Sequence, residues 1–153
     1  MMLSVVVPAY NETQRIIPSL EEILRYLTTR DDACEILVVD DGSTDGTAEL
    51  VAERFADEPR LRVLAYTPNR GKGHAVRFGL RHARGDWVLF SDADLSTPIE
   101  QLEPMLAAAE AGADVVIGSR ALGGAEIRQR QPFYRAAGGK LFNLLVRLCV
   151  LPD

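Results

Sequence analysis

The sequence predicts an α/β fold, with a mostly parallel sheet between two layers of helices. Apolar runs recur along the chain, and they are rich in β-branched residues: LSVVVPAY, EILVVDD, LRVLAYT, DWVLFSD and ADVVIGS. Continuous runs of this length are typical of strands buried on both faces. Segments with helical spacing lie between them, and strands that alternate with helices of about 10–15 residues form parallel βαβ units. We therefore expect five buried strands in a three-layer α/β/α arrangement.

The helices follow from apolar residues that recur every three or four positions. The first apolar stripe consists of Ile16, Leu20, Ile23, Leu24 and Leu27, a spacing that places them on one helical face. Pro18 suits a first turn, where its missing N–H costs no hydrogen bond. Further helices are predicted for DGTAELVAERFA, GHAVRFGLRHA and PIEQLEPMLAAAEA. The proline inside the last segment is expected to shift the start of that helix or to kink it.

Length and composition predict one ordinary globular domain spanning residues 1–153. The chain is 47% hydrophobic and 25% charged, with a net charge of −5, which argues against nucleic-acid binding by bulk electrostatics. Cys34 and Cys149 are far apart and belong to no CxxC or Cys/His spacing, so we expect neither a disulfide framework nor a zinc site, which fits a reducing compartment. The N-terminal MMLSVVVPAYNE predicts a strand and not a signal peptide, and no apolar stretch approaches the roughly 20 residues that span a bilayer.

Two carboxylates follow the fourth apolar run, in LFSDADLSTP. Ligands bind to parallel sheets beyond the carboxyl ends of the strands, which makes Asp92 and Asp94 candidates for a site. In an extended segment they would project to the same side, with Cα atoms roughly 6.5–7 Å apart. Such a pair can share Mg²⁺ or Mn²⁺. The alternative is structural, with Asp92 capping the next helix and Asp94 forming a turn.

A second acidic cluster, DDGSTDGT, ends the second run. Asp40 and Asp41 would lie at the same edge of the sheet, where a carboxylate could bind a ribose or a base. Gly42 permits a tight turn, and Ser43 or Thr44 can cap the next helix. A turn with a cap and no ligand is the alternative interpretation.

Two basic segments are candidates for phosphate or membrane contact. NRGKGHA places Arg70 and Lys72 among glycines before a helix, which suits a phosphate but equally a solvated basic loop. From Arg120 to Arg147 the chain is rich in arginine and ends in a mainly apolar helical stripe. That segment could pack on the sheet or rest on a membrane interface.

Together the motifs VVVPAYNE, VVDDGSTDGT, NRGKGHAV, SDADLSTP and GSRA resemble the family 2 glycosyltransferases of the GT-A fold. Within that family the sequence looks most like the dolichyl- or polyprenyl-phosphate glycosyltransferases. The resemblance covers essentially the whole chain. It implies a nucleotide-diphospho-sugar transferase architecture, Rossmann-like, in a single catalytic domain that is truncated at its acceptor side.

The resemblance also implies roles for individual residues. Asp92 and Asp94 would hold Mg²⁺ or Mn²⁺ on the donor diphosphate, while Ser96 stands where some relatives have a glutamine that assists the metal. Arg120 would face the donor, and Asp153 matches only the first position of a segment in which some relatives carry a candidate base. The expected donor-binding residues are Pro8, Tyr10, Glu12, Val39, Asp41, Lys72 and Ala93, and the expected acceptor-phosphate residues are Arg130 and Arg135.

The implied reaction transfers a hexose from a nucleotide diphosphate sugar to a polyprenyl or dolichyl phosphate, with inversion. UDP-glucose is the favoured donor and GDP-mannose the next. A phosphate monoester is already an oxyanion at pH 7, so a strong general base is not obligatory. We expect the protein in the cytoplasm or in peripheral contact with the cytoplasmic face of a membrane. The alternatives are a family 2 enzyme with a soluble or polysaccharide acceptor, and a non-catalytic nucleotide-binding module.

Overall fold

The computed structural model describes residues 1–118, and the first compact unit spans Met1–Asp114. A second unit begins at Val115, and only its residues 115–118 are described. The elements of the first unit are β1 (Met2–Ala9), α1 (Ile16–Thr28), β2 (Ala33–Asp40), α2 (Thr47–Arg54), β3 (Leu61–Ala65), α3 (Lys72–His82), β4 (Trp87–Phe90), a 3₁₀ turn (Ile99–Gln101) and α4 (Leu102–Glu110). None of the helices in this part of the chain is long and apolar enough to cross a membrane.

The four strands form one parallel sheet in the order β3-β2-β1-β4. β1 lies at the centre of the first unit, and its residue Val5 pairs with Ile36 of β2 on one side and Leu89 of β4 on the other. Because all strands are parallel, their carboxyl ends meet at one edge. The predicted parallel sheet and its alternation with helices are confirmed.

Helices cover both faces of the sheet, as the sequence predicts. On one face α1, α2 and α4 enclose the larger core, which includes Val5, Leu20, Val38 and Leu106. On the other face α3 packs on a smaller core of Val6, Leu37, Val39 and Ala75. The helix approaches closely because Gly79 faces the sheet, where a Cβ atom would lie 2.4 Å from Cγ1 of Val6.

The prolines lie where the helical patterns tolerate them. Pro18 is in the first turn of α1, as predicted. The last predicted helix starts as the 3₁₀ turn and becomes α-helical only at Leu102, so that Pro104 falls in the first α-helical turn. A missing N–H costs little there, because the first N–H groups of a helix have no intrahelical acceptor.

The fifth predicted strand is wrong for the residues that the structure describes. Residues 113–118 of the run ADVVIGS form no strand, and Val115 and Ile117 are 81% and 79% exposed. An apolar run shows that a segment can be buried, but a strand also requires a neighbouring strand that accepts its backbone hydrogen bonds. In the described ranges these six residues have no such ladder.

A buried network of hydrogen bonds joins the strands near their amino ends, at the edge opposite to the one where their carboxyl ends meet. Glu35 of β2 is 4% exposed and accepts hydrogen bonds from Ser4 Oγ (2.8 Å), from the backbone N–H of Arg84 (2.7 Å) and from Arg62 (2.9 Å). Gly85 in turn donates its N–H to Ser4 Oγ. Burial raises the pKa of the Glu35 carboxyl, but the hydrogen bonds from Ser4, Arg84 and Arg62 outweigh burial and hold it below its ordinary value. The network thereby fixes the connection from α3 into β4.

Candidate functional site

A pocket of about 340 Å³ opens at the carboxyl edge of the sheet, between the ends of β1, β2 and β4. Its walls bring together many of the residues that the sequence singled out: Pro8, Tyr10, Glu12, Asp41, Lys72, Asp92, Ala93 and Asp94. Segments that are far apart in sequence therefore meet in one cavity. Ala9, Asn69, Gly71 and Ala75 complete the lining.

Asp92 and Asp94 follow β4 directly. Ser91 continues the pairing with β1 by donating its N–H to the carbonyl of Val6 (3.0 Å). Leu95 then donates to the carbonyl of Asp92 (3.1 Å) and adopts a φ of 46°, which turns the chain away from the sheet. The side chains of Asp92 and Asp94 are 39% and 43% exposed, so both carboxylates are accessible from the pocket.

The structural alternative for this pair holds in part. Ser96 donates its backbone N–H to Asp94 Oδ1 (3.0 Å), which makes Asp94 the acceptor of a local turn. Asp92 caps no helix, since the next helical turn begins at Ile99 after Pro98 and has no side-chain cap. One oxygen of Asp94 is thus used locally, and its second oxygen and the Asp92 carboxylate are not bound to their own loop.

Each carboxylate has a cationic neighbour. Lys72 Nζ lies 2.7 Å from Asp92 Oδ1, and Arg15 Nη1 lies 4.0 Å from Asp94 Oδ2. Arg15 is already engaged by Glu12, to which it donates two hydrogen bonds of 2.8 and 2.9 Å. The Lys72 contact is close enough for an ion pair, but its atoms are not aligned as a hydrogen bond, and Asp92 Oδ1 is otherwise buried without a partner.

This donor set fits a divalent cation that takes further ligands from a substrate. Asp92 Oδ1 is a buried carboxylate oxygen without a hydrogen bond, and hard cations prefer such oxygens. Within the described part of the chain no group of three or more acidic, histidine or cysteine side chains forms a complete metal cage. Two carboxylates suit Mg²⁺ or Mn²⁺, which are usually held by one or two carboxylates together with substrate phosphates.

Asp41 is a buried carboxylate held rigidly at the pocket wall. It is 3% exposed, and its Oδ1 accepts hydrogen bonds from the hydroxyl of Tyr66 (2.7 Å) and the N–H of Arg70 (2.8 Å). Asn69 donates its side-chain amide to the Asp41 carbonyl (2.9 Å). Burial and the Asp41 carboxylate both raise the pKa of Tyr66, so its hydroxyl stays protonated and donates. The arrangement orients one carboxylate oxygen through Tyr66 and Arg70.

The loop after β2 forms the predicted turn, but not the predicted cap. Gly42 has a φ of +72°, and a Cβ atom there would lie 2.8 Å from a backbone nitrogen of the facing loop. Ser43 and Thr44 do not cap α2, whose first residue follows Gly46 without a side-chain cap. Instead Ser43 Oγ accepts the N–H of Asn11, and Asn11 Oδ1 accepts the N–H of Thr44. These hydrogen bonds join the loops after β1 and β2, which both border the pocket.

Val39 is the one described candidate residue that does not line the pocket, and its part in donor binding stays a prediction. It is fully buried in the small core beneath α3 and does not line the cavity. Side chains alternate between the two faces along a strand, and Val39 projects toward α3. The pocket wall at this strand is formed by Asp41, beyond the end of β2.

The residues predicted for the site and those found around the pocket overlap only in part. Arg120, Arg130, Arg135 and Asp153 lie outside the described residues, and their roles stay predictions. Sequence reasoning missed Arg15, Tyr66 and Asn69. Asn69 falls within the motif NRGKGHA and could have been found there, whereas the contacts of Arg15 and Tyr66 arise from packing.

The sequence of this chain matches a protein-family model and two groups of known enzymes. The family model described as glycosyl transferase family 2 matches residues 4–150. The chain is 41% identical, over 94% of its length, to dolichyl-phosphate beta-glucosyltransferase ALG5C of Trichomonas vaginalis. It is 36% identical, over 95% of its length, to an undecaprenyl-phosphate 4-deoxy-4-formamido-L-arabinose transferase of Salmonella paratyphi B. It spans only 45% and 43% of these two relatives.

Solved structures confirm the predicted GT-A architecture. A mannosyltransferase of Pyrobaculum calidifontis, in complex with GDP-Man and Mn²⁺, is 38% identical with a TM-score of 0.53, over 60% of this chain and 27% of that one. S. aureus TarS 1-349, in complex with UDP-GlcNAc, is 30% identical with a TM-score of 0.58, over 82% of this chain and 37% of that one. Both complexes contain a nucleotide sugar.

Proposed function

The chain belongs to glycosyl transferase family 2, and from that premise we propose that it binds the donor in a hexosyl transfer to a polyprenyl or dolichyl phosphate. The observation that carries the proposal is one pocket with two partly exposed carboxylates at one end, Asp92 and Asp94, and a buried carboxylate, Asp41, in another wall. UDP-glucose is the proposed donor and GDP-mannose the next candidate. A glucosyltransferase with a dolichyl-phosphate acceptor among the relatives supports this order.

Asp41 is the proposed acceptor for the nucleotide base. A carboxylate only accepts hydrogen bonds, so it favours a base edge that presents N–H groups, as uracil and guanine do. The hydrogen bonds of Tyr66 and Arg70 to Oδ1 hold this carboxylate in place before the nucleotide arrives. Tyr10 is 48% exposed beside the pocket and offers an aromatic face on which a base can stack.

Asp92 and Asp94 are the proposed ligands of Mg²⁺ or Mn²⁺. When bound, the cation would stabilise the negative charge that develops on the leaving diphosphate. Like charges placed this close repel each other, and a shared cation removes that repulsion. Ala93 lies between the two acids and lines the pocket with a small side chain, which leaves room for the diphosphate.

The acceptor supplies the nucleophile in this proposal. A phosphate monoester has a second pKa of about 6 and is ionised at pH 7, so its oxygen can attack the anomeric carbon directly. As the new carbon–oxygen bond forms, the bond from that carbon to the diphosphate breaks, and its electron pair leaves with the nucleotide. A single in-line displacement inverts the anomeric centre. Arg120 is proposed on the donor side, Arg130 and Arg135 at the acceptor phosphate, and Asp153 in a supporting role.

A lipid-linked acceptor places the reaction at a membrane surface. The Arg-rich segment from Arg120 to Arg147 supports peripheral contact, since cationic side chains are attracted to anionic headgroups. We propose the cytoplasmic face, where nucleotide sugars would meet the lipid phosphate.

Calorimetry with UDP-glucose, GDP-mannose and UDP-N-acetylglucosamine, each with and without Mn²⁺, tests the donor half. We expect UDP-glucose to bind most tightly, and only weakly without the metal. Asp94→Asn should abolish the metal-dependent part of the affinity, and Asp57→Asn, at an exposed aspartate remote from the pocket, should not. Equal donor affinity in Asp94→Asn and the wild type would contradict the proposal.

Transfer of labelled glucose to polyprenyl phosphate tests the acceptor half. Arg135→Ala should bind the donor normally but use the lipid phosphate poorly. Transfer to a soluble sugar or a polysaccharide, with none to polyprenyl phosphate, would show a different acceptor class on the same donor site.

A further inference from the structure

Lys72 occupies the position at Asp92 where the proposed metal would bind. It is the first residue of α3, and its Nζ lies 2.7 Å from Asp92 Oδ1 and 5.4 Å from the centre of the Phe90 ring. Asp92 Oδ1 is buried and has no hydrogen-bond partner among the described residues. The side chain of Lys72 is 61% exposed, so it is free to leave this position without disturbing the core.

An ammonium group and a divalent cation cannot occupy the same side of one carboxylate oxygen, because they repel each other and compete for its lone pairs. We propose that Lys72 is an exchangeable counter-cation: it neutralises Asp92 in the free protein, yields that carboxylate to the metal, and moves to the donor diphosphate. The inference rests on the proposed function, because it requires a metal at Asp92 and a diphosphate in the pocket.

The displaced ammonium group of Lys72 can bind a diphosphate in the same pocket. Lys72 and both acids line the same cavity, and a lysine ammonium on a flexible four-carbon stem binds phosphate as a movable point charge. Lys72 also begins an α-helix of 11 residues, whose N-terminal N–H groups attract anions. A diphosphate at this wall of the pocket would therefore meet the displaced ammonium and the helix terminus together.

This exchange couples the two ligands. Metal alone must displace Lys72 and leave its charge beside the new cation, so it should bind weakly. Metal and diphosphate together have no such penalty, because the diphosphate receives the displaced charge. Each ligand should therefore tighten the binding of the other by the same factor.

The test compares the wild type with Lys72→Met and with Arg77→Met. Arg77 is an exposed arginine on the same helix and makes no ion pair with the described residues, so its replacement removes an equal charge without touching Asp92. Mn²⁺ is titrated alone, followed by the paramagnetic resonance of the free ion, and UDP is titrated by calorimetry with and without Mn²⁺. Thermal unfolding checks that both variants are folded.

We expect Lys72→Met to bind Mn²⁺ alone about two- to fivefold more tightly, the range that one exposed ion pair represents. The same variant should bind UDP more weakly in the presence of Mn²⁺, so the mutual tightening of metal and UDP shrinks. Arg77→Met should resemble the wild type in both titrations.

Two results would count against the inference, and they are distinguishable. If the wild type binds neither Mn²⁺ nor UDP, the proposed function fails and the exchange fails with it. If the wild type binds both, but Lys72→Met binds Mn²⁺ no more tightly than Arg77→Met does, the donor site stands and the exchange is wrong.

Discussion

Replacement of Gly79 by alanine tests whether the close contact between α3 and the sheet determines how α3 packs. A Cβ atom at this position would lie 2.4 Å from Cγ1 of Val6 and 3.0 Å from Cγ2 of Val39. Both valines are fully buried on neighbouring central strands. Carbon atoms in good contact are about 3.5–4.0 Å apart, so the helix or the valines must move by roughly 1 Å.

Two opposing effects set the magnitude. Alanine stabilises a helix interior by about 1 kcal/mol relative to glycine, whereas overpacking of a core costs about 1–3 kcal/mol. The contact with Val6 is severe and involves a side chain with no free space, so we expect a cost near the upper end. The free energy of unfolding should fall by about 1–2 kcal/mol, which for a chain of this length lowers Tm by about 2–8 °C.

Urea and thermal unfolding, followed by circular dichroism, measure the effect. Gly73→Ala is the matched control, because Gly73 lies in the first turn of the same helix and a Cβ atom there meets nothing within 4 Å. That variant should be neutral or more stable by up to about 1 kcal/mol. If Gly79→Ala proves as stable as Gly73→Ala, the close contact does not determine how α3 packs.

Two further substitutions test the polar contacts. Glu35→Gln should lower the free energy of unfolding at pH 7 by about 1–3 kcal/mol, because it leaves Arg62 without its carboxylate. Because the pKa of Glu35 lies below its ordinary value in the folded protein, the difference in the free energy of unfolding between the two proteins should be complete above about pH 4.5 and should vanish as the pH falls further. A difference that stays constant down to about pH 3 in urea titrations would refute this reasoning. Tyr66→Phe removes one of the hydrogen bonds to Asp41 and should weaken UMP binding several-fold in calorimetry. Tyr26→Phe loses a similar hydrogen bond to a carboxylate far from the pocket, and equal UMP affinities in these two variants would contradict the proposed base contact.

Much of the fold could be predicted because buried strands and helices require apolar residues in continuous runs or at regular spacing. β3 and β4 lie within the continuous apolar runs, and β1 and β2 begin one and two residues before theirs. The edge that carries the site followed from parallel pairing alone, since it requires only that the strands run in one direction. Residues 113–118 show where this reasoning stops, because their apolar character does not specify a pairing partner.

The details of the site that the sequence does not show have the same physical origin. The sequence places Val39 and Asp41 near the end of one strand, but it does not show that Val39 is covered by α3 whereas Asp41, beyond the last residue of β2, borders the pocket. That distinction depends on how α3 docks. The pairing of Lys72 with Asp92 depends equally on where α3 begins in space, because the two residues belong to different elements that only the tertiary fold brings together.

The central position of β1 has a consequence for the order in which the protein folds. β1 can pair with β2 after closure of a loop of about 30 residues, but it meets β4 only across roughly 80 residues of chain, and longer closures are entropically costlier and slower. We therefore expect the β1–β2 pair to form early and β4 to dock late. Asp92 and Asp94 follow β4, so the proposed metal-binding carboxylates would join the rest of the pocket only when β4 docks. Nucleotide or metal added during refolding should therefore accelerate no step that precedes the docking of β4.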